Sequence, residues 1–407
     1  MKLAVFSWSF PVLSETFVIN QIIGLKKLGV EVDVYSNETV TECINLESVK
    51  KNKLLDNYKC IGLNSRGGKL RKTLTFFQCS IHALLKGKLP QLNEIIFDRL
   101  LSIGQKFNLI AALSKQNGCP EDYDNIIVHF GNNGYYVCKM RELGLISGPI
   151  STIFHGYEIS VHSQLEKNNI QYKRLFESGD LMLPISEYWR KKLIELGCPL
   201  SKIKVHRMGI DTDAYDIKDL TSSINKPLNL IQVGRLTEKK AVLDSIKAVV
   251  KANEKIAIKF NIIGDGELYN AAKELIDTNE ASEYIFLLGK QKPERVKEFL
   301  DSSDVFVLPS VRASNGDMEG IPVALMEAMA KGLIVLSTNH SGIPELIEDQ
   351  ESGFLVDEAS IEGLSNALVN ISNLDQESLI RIRKNARDIV LSKYNDRVLN
   401  QNLVEYL

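Results

Sequence analysis

The feature that most constrains this chain is a regular alternation of short apolar runs with longer segments of helical period. In the second half the apolar runs lie at 228–233, 257–263, 284–289, 304–309, 333–338 and 353–357. Short apolar runs separated by helix-length segments are typical of βαβ units, whose parallel strands are buried on both faces. The second half is therefore predicted to form a doubly wound parallel sheet.

The first half begins with the same alternation, loses it after residue 40 and resumes it near residue 125. Its predicted strands lie at 2–8, 30–36, 125–130, 150–154, 181–185 and 202–206, and a helix is predicted from about Glu15 to Leu28. A polar stretch at 208–227 is typical of an interdomain linker. Because 407 residues exceed what one hydrophobic core usually fills, we predict two α/β, Rossmann-like domains at 1–215 and 216–390, and a helical segment at 391–407 that could pack back on the first domain.

Composition excludes several classes of function. The net charge of −2 gives no general attraction to nucleic acid. The six cysteines are scattered and include no CxxC pair, so neither a zinc site nor a disulfide framework is expected, and a reducing cytoplasm fits. No signal-peptide core and no run of about 18 apolar residues is present, so no membrane-spanning segment is predicted.

The densest candidate site is the segment 309–332, which follows a predicted strand and leads into a helix. Glu319 lies in the loop and Glu327 eight residues later in the helix. Free N–H groups at the start of this helix would bind phosphate at the carboxyl edge of the sheet. Glu327 could then accept hydrogen bonds from a ribose, and Glu319 could reach a sugar ring. The alternative is that both are early-helix acids stabilised by the helix dipole.

A second candidate site lies where the strand at 228–233 turns into a helix. Arg235 and Lys240 would together neutralise a diphosphate there, although cations at a helix start are more often solvated surface. Gly264 and Gly266 predict a tight turn with close backbone approach, since the third glycine of a dinucleotide fingerprint is absent.

Fewer signals come from the first half and the linker. Ser14 is a candidate N-cap for the first helix. His129 and His206 flank predicted strand ends and are interpreted as histidines satisfied by backbone groups, with His129 also a candidate for the acceptor side. The DTD sequence at 211–213 looks like a metal-binding DxD but falls in the linker, so no metal site is predicted.

Taken in order, these segments resemble the retaining glycosyltransferases of family 4. They are similar in particular to the bacterial colanic-acid and other exopolysaccharide transferases of that family. The matching segments are FSWSFPVLSETFV at the start, HFG (129–131), FHGYE (154–158), MGID (208–211), VGRLTEKK (233–240), IIGDGEL (262–268), DMEGIPVALMEAMAKG (317–332) and SGIPELI (341–347). The resemblance implies the GT-B fold, in which two doubly wound Rossmann-like domains face each other across a cleft and the C-terminal domain holds most of a nucleotide sugar.

The resemblance also implies roles for individual residues. Its catalytic positions match His155, Arg235, Lys240 and Glu319. Its donor-binding positions match Ser14, Glu15, Thr16, Gly234, Gly264, Asp265, Gly266, Gly320, Ile321, Pro322, Val323 and Glu327. His129 and Glu158 fall on the acceptor side. The chain departs from the family pattern with Glu158 for the usual Asp, EGIP for Glu-x-Phe-Gly, and Ala241 for the usual Gly.

The implied reaction moves a hexose from a UDP- or GDP-sugar to a lipid-linked or oligosaccharide acceptor, in the biosynthesis of an exopolysaccharide, capsule or O-antigen. In front-face attack the departing phosphate oxygen takes the acceptor's proton, so no dedicated base, protein-bound metal or cofactor is predicted. One alternative is a GT-B sugar-nucleotide epimerase, for which the sequence offers no clear acid–base set. The other is a non-catalytic partner subunit, which would have no use for the matched charged residues.

Residues 49–90 form a basic amphipathic stretch. They carry ten Lys and Arg against a single acid, Asp56, interleaved with Leu and Phe. This composition favours docking of a cytoplasmic protein on the anionic inner face of the cell membrane, where a lipid-linked acceptor would be found. The alternative is a solvated helical face with a buried apolar side.

Overall fold

The structure, a computed structural model, describes residues 1–12, 15–63 and 69–407, with residues 69–72 described as backbone alone. In chain order the described strands are β1 (Lys2–Phe6), β2 (Ser9–Phe10), β3 (Glu31–Ser36), β4 (Glu38–Thr39), β5 (Tyr58–Cys60), β6 (Glu121–Asp122), β7 (Asn125–His129), β8 (Ile146–Ser147), β9 (Ile150–Phe154), β10 (Leu181–Pro184), β11 (Leu228–Val233), β12 (Ile258–Ile263), β13 (Ile285–Leu287), β14 (Val305–Leu308), β15 (Ile334–Thr338) and β16 (Phe354–Val356).

Helices connect these strands in both halves. They are α1 (Thr16–Lys27), α2 (Glu47–Lys51), α3 (Lys69–Leu85), α4 (Leu89–Phe97), α5 (Ile103–Lys115), α6 (Gly131–Glu142), α7 (Tyr157–Ser160), α8 (His162–Ser178), α9 (Glu187–Glu195), α10 (Val242–Asn253), α11 (Tyr269–Thr278), α12 (Pro293–Ser302), α13 (Val323–Lys331), α14 (Ile343–Leu346), α15 (Ile361–Ser372), α16 (Gln376–Lys393) and α17 (Asp396–Tyr406).

The two large sheets have the same topology. The first is ordered β10-β9-β7-β1-β3-β5 and the second β13-β12-β11-β14-β15-β16, and their strands pair in parallel. Counted along each half, both orders are 3-2-1-4-5-6, the order of dinucleotide-binding folds. The predicted α/β fold class, two doubly wound Rossmann-like domains, is confirmed.

This topology fixes where ligands can bind. In open parallel sheets the binding crevice lies beyond the carboxyl ends of the strands, where the strand order reverses. The reversal falls between β1 and β7 in the first sheet and between β11 and β14 in the second. The loops that follow these four strands should therefore carry the functional groups.

Burial explains why the apolar runs form strands. Every residue of β7 and β14 is buried, as expected for parallel strands covered by helices on both faces. In β11 the alternation separates two cores, because Leu230 packs in one apolar cluster and Ile231 in the cluster on the opposite face. Burial on both faces therefore explains why these strands are uninterrupted apolar runs in the sequence.

One predicted strand is absent. The segment 202–206 was expected to be a strand, but a short 3-10 helix at Leu200–Lys202 precedes it. The segment touches the first sheet through an isolated bridge between Ile203 and Met182 and two further backbone hydrogen bonds to β10. It lies along the sheet edge, with backbone pairing on one side and too few ladder bonds to form a strand.

The chain crosses between the two halves at two adjacent segments. The N–H of Ile210 donates to the carbonyl of Tyr394 at 2.9 Å, and the N–H of Asp396 donates back to Ile210 at 3.0 Å. After this crossing α17 packs on α1, where Asn400 lies against Gly24. The C-terminal helix therefore packs with the first half, and its Leu403 is fully buried in the apolar core of that half.

Within the described residues, no helix is long and apolar enough to cross a membrane.

Candidate active site

A predicted cation and a predicted carboxylate form an ion pair at the carboxyl edge of the second sheet. Lys240 ends a 3-10 turn after β11, and Glu319 lies in the loop after β14. The Nζ of Lys240 is 3.1 Å from Oε1 of Glu319. The two loops that flank the reversal of strand order thus meet through opposite charges. Gln232 fixes the turn by donating to the carbonyl of Lys240.

The surroundings keep Glu319 ionised. Lys239 contacts Asp317 at 3.1 Å and lies 3.9 Å from Glu319, and His340 accepts a hydrogen bond from the Glu319 N–H. Burial raises the pKa of Glu319, but the ammonium groups of Lys240 and Lys239 outweigh burial, and the net pKa is lowered. A buried carboxylate held charged in this way can accept hydrogen bonds from a bound sugar.

The glycine turn after β12 lies directly against the loop that follows β11. A Cβ on Gly264 would come within 1.8 Å of the Gly234 carbonyl oxygen, and one on Gly266 within 2.5 Å of the Leu236 carbonyl oxygen. Both positions therefore require glycine. The close backbone approach predicted for this turn is to the neighbouring loop, which it holds in place.

The β11 loop contains two further residues of interest, one with an unpaired side chain and one with an unusual backbone conformation. Arg235 is exposed and has no hydrogen bond or ion pair to any other described side chain, so its guanidinium is available to a ligand. Ala241, directly after Lys240, has a φ of 47°. This left-handed conformation costs an L residue about 1 kcal/mol, which explains why glycine suits the position in the family pattern.

Helix α13 begins beside Glu319. Pro322 occupies its N-cap, and Val323 is the first helical residue. Gly320 and Ile321 form the approach to the helix. The free N–H groups and positive dipole end of this helix lie at the carboxyl edge of the sheet, where they can bind an anion.

Glu327 lies inside α13 and already has a partner. The hydroxyl of Tyr215, from the linker, donates to its Oε1 at 2.6 Å. Burial raises the pKa of Glu327. Sequence reasoning missed Tyr215 because the residue lies 112 positions away, and no motif marks it.

In the first half, two histidines stack at the carboxyl edge. His129 ends β7 and His155 follows β9, with His129 Nδ1 and His155 Nε2 3.1 Å apart. Phe17 and Phe130 each lie 4.6 Å from the His155 ring, measured between ring centroids. Burial lowers the pKa of His129 to about 3, and burial with the neighbouring histidines holds the pKa of His155 well below its usual range. Both rings are neutral at pH 7.

His206 was predicted to bond to backbone groups, and this prediction is wrong because its partner is a side chain. The ring Nε2 of His206 instead lies 3.2 Å from the side-chain amide of Gln21. His129 likewise bonds to a side chain, His155, and its Nε2 has no partner among the described residues. Side-chain pairing across the loops holds both rings.

Glu158 joins the two histidine loops. Its Oε1 accepts hydrogen bonds from the N–H groups of His155 at 2.8 Å and Gly131 at 3.1 Å. The residue is fully buried, burial raises its pKa, and its Oε2 has no partner among the described residues. A carboxylate at this position therefore positions the backbone of His155 and retains one free acceptor oxygen.

The loop before α1 supplies another carboxylate. Glu15, and not Ser14, occupies the N-cap of α1, and Ser14 itself lies outside the described residues. The hydroxyl of Ser7 donates to Glu15 at 3.3 Å, and burial raises the Glu15 pKa. Thr16 is exposed at the start of the helix, and Asp265 is exposed on the opposite half. Within the described residues, neither side chain forms a hydrogen bond or ion pair with Lys240 or Glu319.

The two halves touch beside the candidate catalytic groups. A Cβ on Gly320 would lie 2.5 Å from Ile185 Cδ1 and 3.1 Å from the His155 carbonyl oxygen. This contact brings the Glu319 loop of the second half against the His155 loop of the first. Sequence reasoning placed these residues on facing domains, and the structure makes them neighbours.

A second interdomain contact caps a helix. Glu345, from the second half, accepts hydrogen bonds from the N–H groups of Glu187 and Tyr188 at the start of α9, and it pairs with Arg207 at 2.9 Å. A carboxylate at a helix N-terminus is stabilised by the free N–H groups and the dipole. Glu345 lies in the SGIPELI segment of the family resemblance, but the sequence assigned no role to it. No group of side chains in the described residues has the arrangement of a metal site, DTD included.

The family comparison matches the second half. Residues 216–389 match the model of the glycosyl transferases group 1.

Relatives from exopolysaccharide biosynthesis match over the full length. The chain is 38% identical to the putative colanic acid biosynthesis glycosyltransferase WcaL of Escherichia coli and 36% identical to the amylovoran biosynthesis glycosyltransferase AmsK of Erwinia amylovora, in each case over 100% of this chain and 99% of the relative. Among solved structures, the Anabaena protein HepE in complex with UDP and glucose matches over 100% of this chain and 99% of its own, with a TM-score of 0.71 at 16% identity. The fold of this chain is therefore GT-B.

Proposed function

The chain belongs to the group 1 glycosyl transferases, the family 4 enzymes of GT-B fold, and on that basis we propose that it transfers a hexose from a UDP- or GDP-sugar to a lipid-linked or oligosaccharide acceptor. Transfer retains the anomeric configuration and needs no protein-bound metal. The reaction serves the biosynthesis of a cell-surface polysaccharide, as the names of the colanic acid and amylovoran relatives suggest.

The observation that carries this proposal is the Lys240–Glu319 ion pair, which lies against the His155 loop. A nucleotide sugar joins an anionic diphosphate directly to a sugar ring. A cation 3.1 Å from a carboxylate presents the matching pair of groups, one for the phosphate and one for the sugar hydroxyls.

Departure of the nucleoside diphosphate develops negative charge on its terminal phosphate. Lys240, the free guanidinium of Arg235 and the N-terminus of α13 supply positive charge at one edge of the sheet. Groups fixed in advance around a developing charge stabilise the transition state without reorganising during the reaction. Glu327, oriented by Tyr215, is assigned to the ribose.

The sugar itself develops positive charge at the reacting carbon. A cationic histidine beside that carbon would oppose the reaction, and the lowered pKa values of His129 and His155 keep both rings neutral. His155 is thus assigned to a sugar hydroxyl. The departing phosphate oxygen takes the acceptor's proton, and no side chain is assigned as base.

A thermal-shift panel of nucleotides tests the donor site. A ligand present at a hundred times its Kd adds about 2.7 kcal/mol of stability, so UDP or GDP should raise the melting temperature selectively. The shift should disappear in Glu327→Ala and persist in Glu362→Ala, which removes an exposed carboxylate of α15. A protein that no nucleotide stabilises would contradict the proposal.

We further propose that α3 docks on the membrane that holds the acceptor. Exposed apolar side chains recur along this helix at a spacing of three or four residues, a stripe formed by Leu74, Phe77, Ile81, Leu84 and Leu85. The opposite face packs inward, where Phe76 stacks on Phe107. The stretch therefore combines the two interpretations of its sequence, since one apolar face is buried and another is presented to the surroundings.

The basic residues contribute less to this surface than their number suggests. Lys59 pairs with Asp33 and Glu121, and Lys86 donates to the carbonyls of Ser114 and Gln116. We therefore assign docking mainly to apolar burial of the stripe, which scales with area and is only weakly sensitive to salt.

Sedimentation with phosphatidylglycerol–phosphatidylcholine vesicles tests this docking. The double substitution Phe77→Asp with Leu84→Asp should abolish binding, since it places two charges in the apolar stripe. The control Ile170→Asp changes an equally exposed apolar residue of α8 and should bind as the wild type does. Equal sedimentation of both variants would remove the assignment of the stripe.

A further inference from the structure

A cavity of about 660 Å³ opens in the first half, beside the histidine loops. It lies between α6, α8 and the segment that joins α4 to α5. This volume is in the range of small-molecule sites. Of the positions matched to donor binding, Glu15 of the first half lines it, whereas none of those in the second half does. Most of the cavity is therefore available for a second substrate.

The interior of the cavity suits a saccharide. Amide side chains are abundant in its lining: Gln105, Asn132, Asn133, Gln164, Asn168 and Gln171. An amide both donates and accepts hydrogen bonds, as sugar hydroxyls require. Trp8, Phe130 and Tyr157 add aromatic faces. Glu158 also lines the cavity, and both its Oε2 and the Oδ1 of Asn132 have no hydrogen-bond partner among the described residues.

Two cations line the same cavity. Arg99 follows α4, and Lys167 lies in α8. Both are exposed, whereas Glu158 is fully buried, so the cations lie at the mouth and this carboxylate lies deep. Within the part of the chain that the structure describes, neither cation has a side-chain hydrogen bond or an ion pair. Lys139 of α6, by contrast, pairs with Glu94 and Glu142.

We propose that this cavity binds an acceptor saccharide that carries a negatively charged group, which pairs with Arg99 and Lys167 at the mouth while the sugar hydroxyls donate to Glu158 and Asn132 inside. The inference rests on the proposed transferase function and names the chemistry of its second substrate. Two anionic groups would fit these cations. One is a carboxylate on the acceptor sugar, and the other is the diphosphate that links the sugar to a lipid.

Position in the fold supports an acceptor in this cavity. Glu158 accepts from the N–H of His155, so the deep end of the cavity adjoins the histidine assigned to the donor sugar. Exposed apolar residues flank the mouth in sequence, with Phe97 and Ile96 just before Arg99 and Ile103 just after it. A lipid chain leaving the mouth would meet this apolar surface.

Binding of matched probes tests the inference. Methyl glucuronide carries a carboxylate where methyl glucoside has a hydroxymethyl group, and inorganic diphosphate represents the lipid linkage. Affinities are measured by ligand-observed NMR at low salt, with saturating UDP or GDP to occupy the donor site. Since an anionic probe forms ion pairs that methyl glucoside cannot form, one of the two anionic probes should bind about fivefold more tightly than methyl glucoside. Preference for the glucuronide assigns an acidic sugar, and preference for diphosphate assigns the lipid linkage.

Charge reversal at one cation supplies the control. Lys167→Glu should abolish the preference, whereas Lys173→Glu, an exposed lysine farther along the same helix, should keep it. Equal binding of all three probes, or an unchanged preference in Lys167→Glu, would overturn the inference. Nucleotide stabilisation of the protein without anionic preference would refute the cavity assignment alone, while absence of nucleotide stabilisation would refute the transferase function itself.

Discussion

The two halves of this protein share one topology but differ in charge at the carboxyl edges of their sheets. Both sheets have the same strand order, and both present loops at the reversal of that order. In the second half these loops carry charges already paired with each other, Lys240 with Glu319. In the first half His129 ends β7 at this reversal and His155 follows the neighbouring β9, and burial keeps both rings neutral.

Under the proposed function, this difference assigns one side of the reaction to each half. Positive charge at one sheet edge suits an anionic leaving group, and neutral rings at the other suit a sugar on which positive charge develops. The topology supplies the position, and the loop residues supply the chemistry. Variants that change one side only can test whether the division holds.

The largest effect is expected on the charged side. Lys240→Ala should lower kcat at least about a hundredfold, because removing one preorganised group opposite a developing charge costs two to three orders of magnitude. Initial rates with the stabilising nucleotide sugar measure this. Lys247→Ala, an exposed lysine of α10, should stay within about twofold of wild type. Near-normal turnover of the Lys240 variant would break the comparison.

The second-largest effect is expected at the contact between the two halves. Glu345→Ala removes the acceptor for two N–H groups of α9 and the partner of Arg207. Hydrogen bonds to a charged group contribute about 1.5–3 kcal/mol each, and we expect a loss of unfolding free energy of that order in denaturant titrations. Glu348→Ala, which removes a mainly exposed carboxylate, should change stability by less than about 0.5 kcal/mol.

The neutral histidines of the first half should affect how the unfolding free energy depends on pH. Between pH 6.5 and about 3, His129 is protonated when unfolded and neutral when folded. The unfolded state then binds more protons, so stability falls as the pH falls through this window. His129→Gln should reduce the slope by up to roughly 1.4 kcal/mol per pH unit. Chemical unfolding at pH 6 and 5 measures the slope, and exposed His82→Gln should leave it as in wild type.

The smallest effect concerns the backbone beside Lys240. Ala241→Gly relieves a positive φ but adds freedom to the unfolded chain, and the two nearly cancel, so we expect a change within about 1 kcal/mol. Ala241→Val should be destabilised by more than about 1 kcal/mol, since a branched side chain is poorly tolerated there. Equal melting temperatures for the two variants would contradict the role of the left-handed turn.

Local motifs predicted much of the candidate site. The turn at 264–266, the early-helix segment of α13 and the loop cations could be placed at one sheet edge, because the carboxyl ends of parallel strands share an edge. Tyr215 could not be found in this way, and the partners of Phe17 and Glu345 could not be assigned although both residues lie in segments of the family resemblance. Each of the three contacts joins segments that are far apart in the chain.

The sequence by itself determined the fold class, since a repeated period of apolar runs leaves few ways to bury both faces of a sheet. It also determined which loops carry charge. Only the tertiary structure decided which charges meet, that Lys240 pairs with Glu319 while Arg235 stays free, and that the histidines are neutral. Pairing and burial depend on distances between segments far apart in the chain, and a local pattern carries no record of those distances.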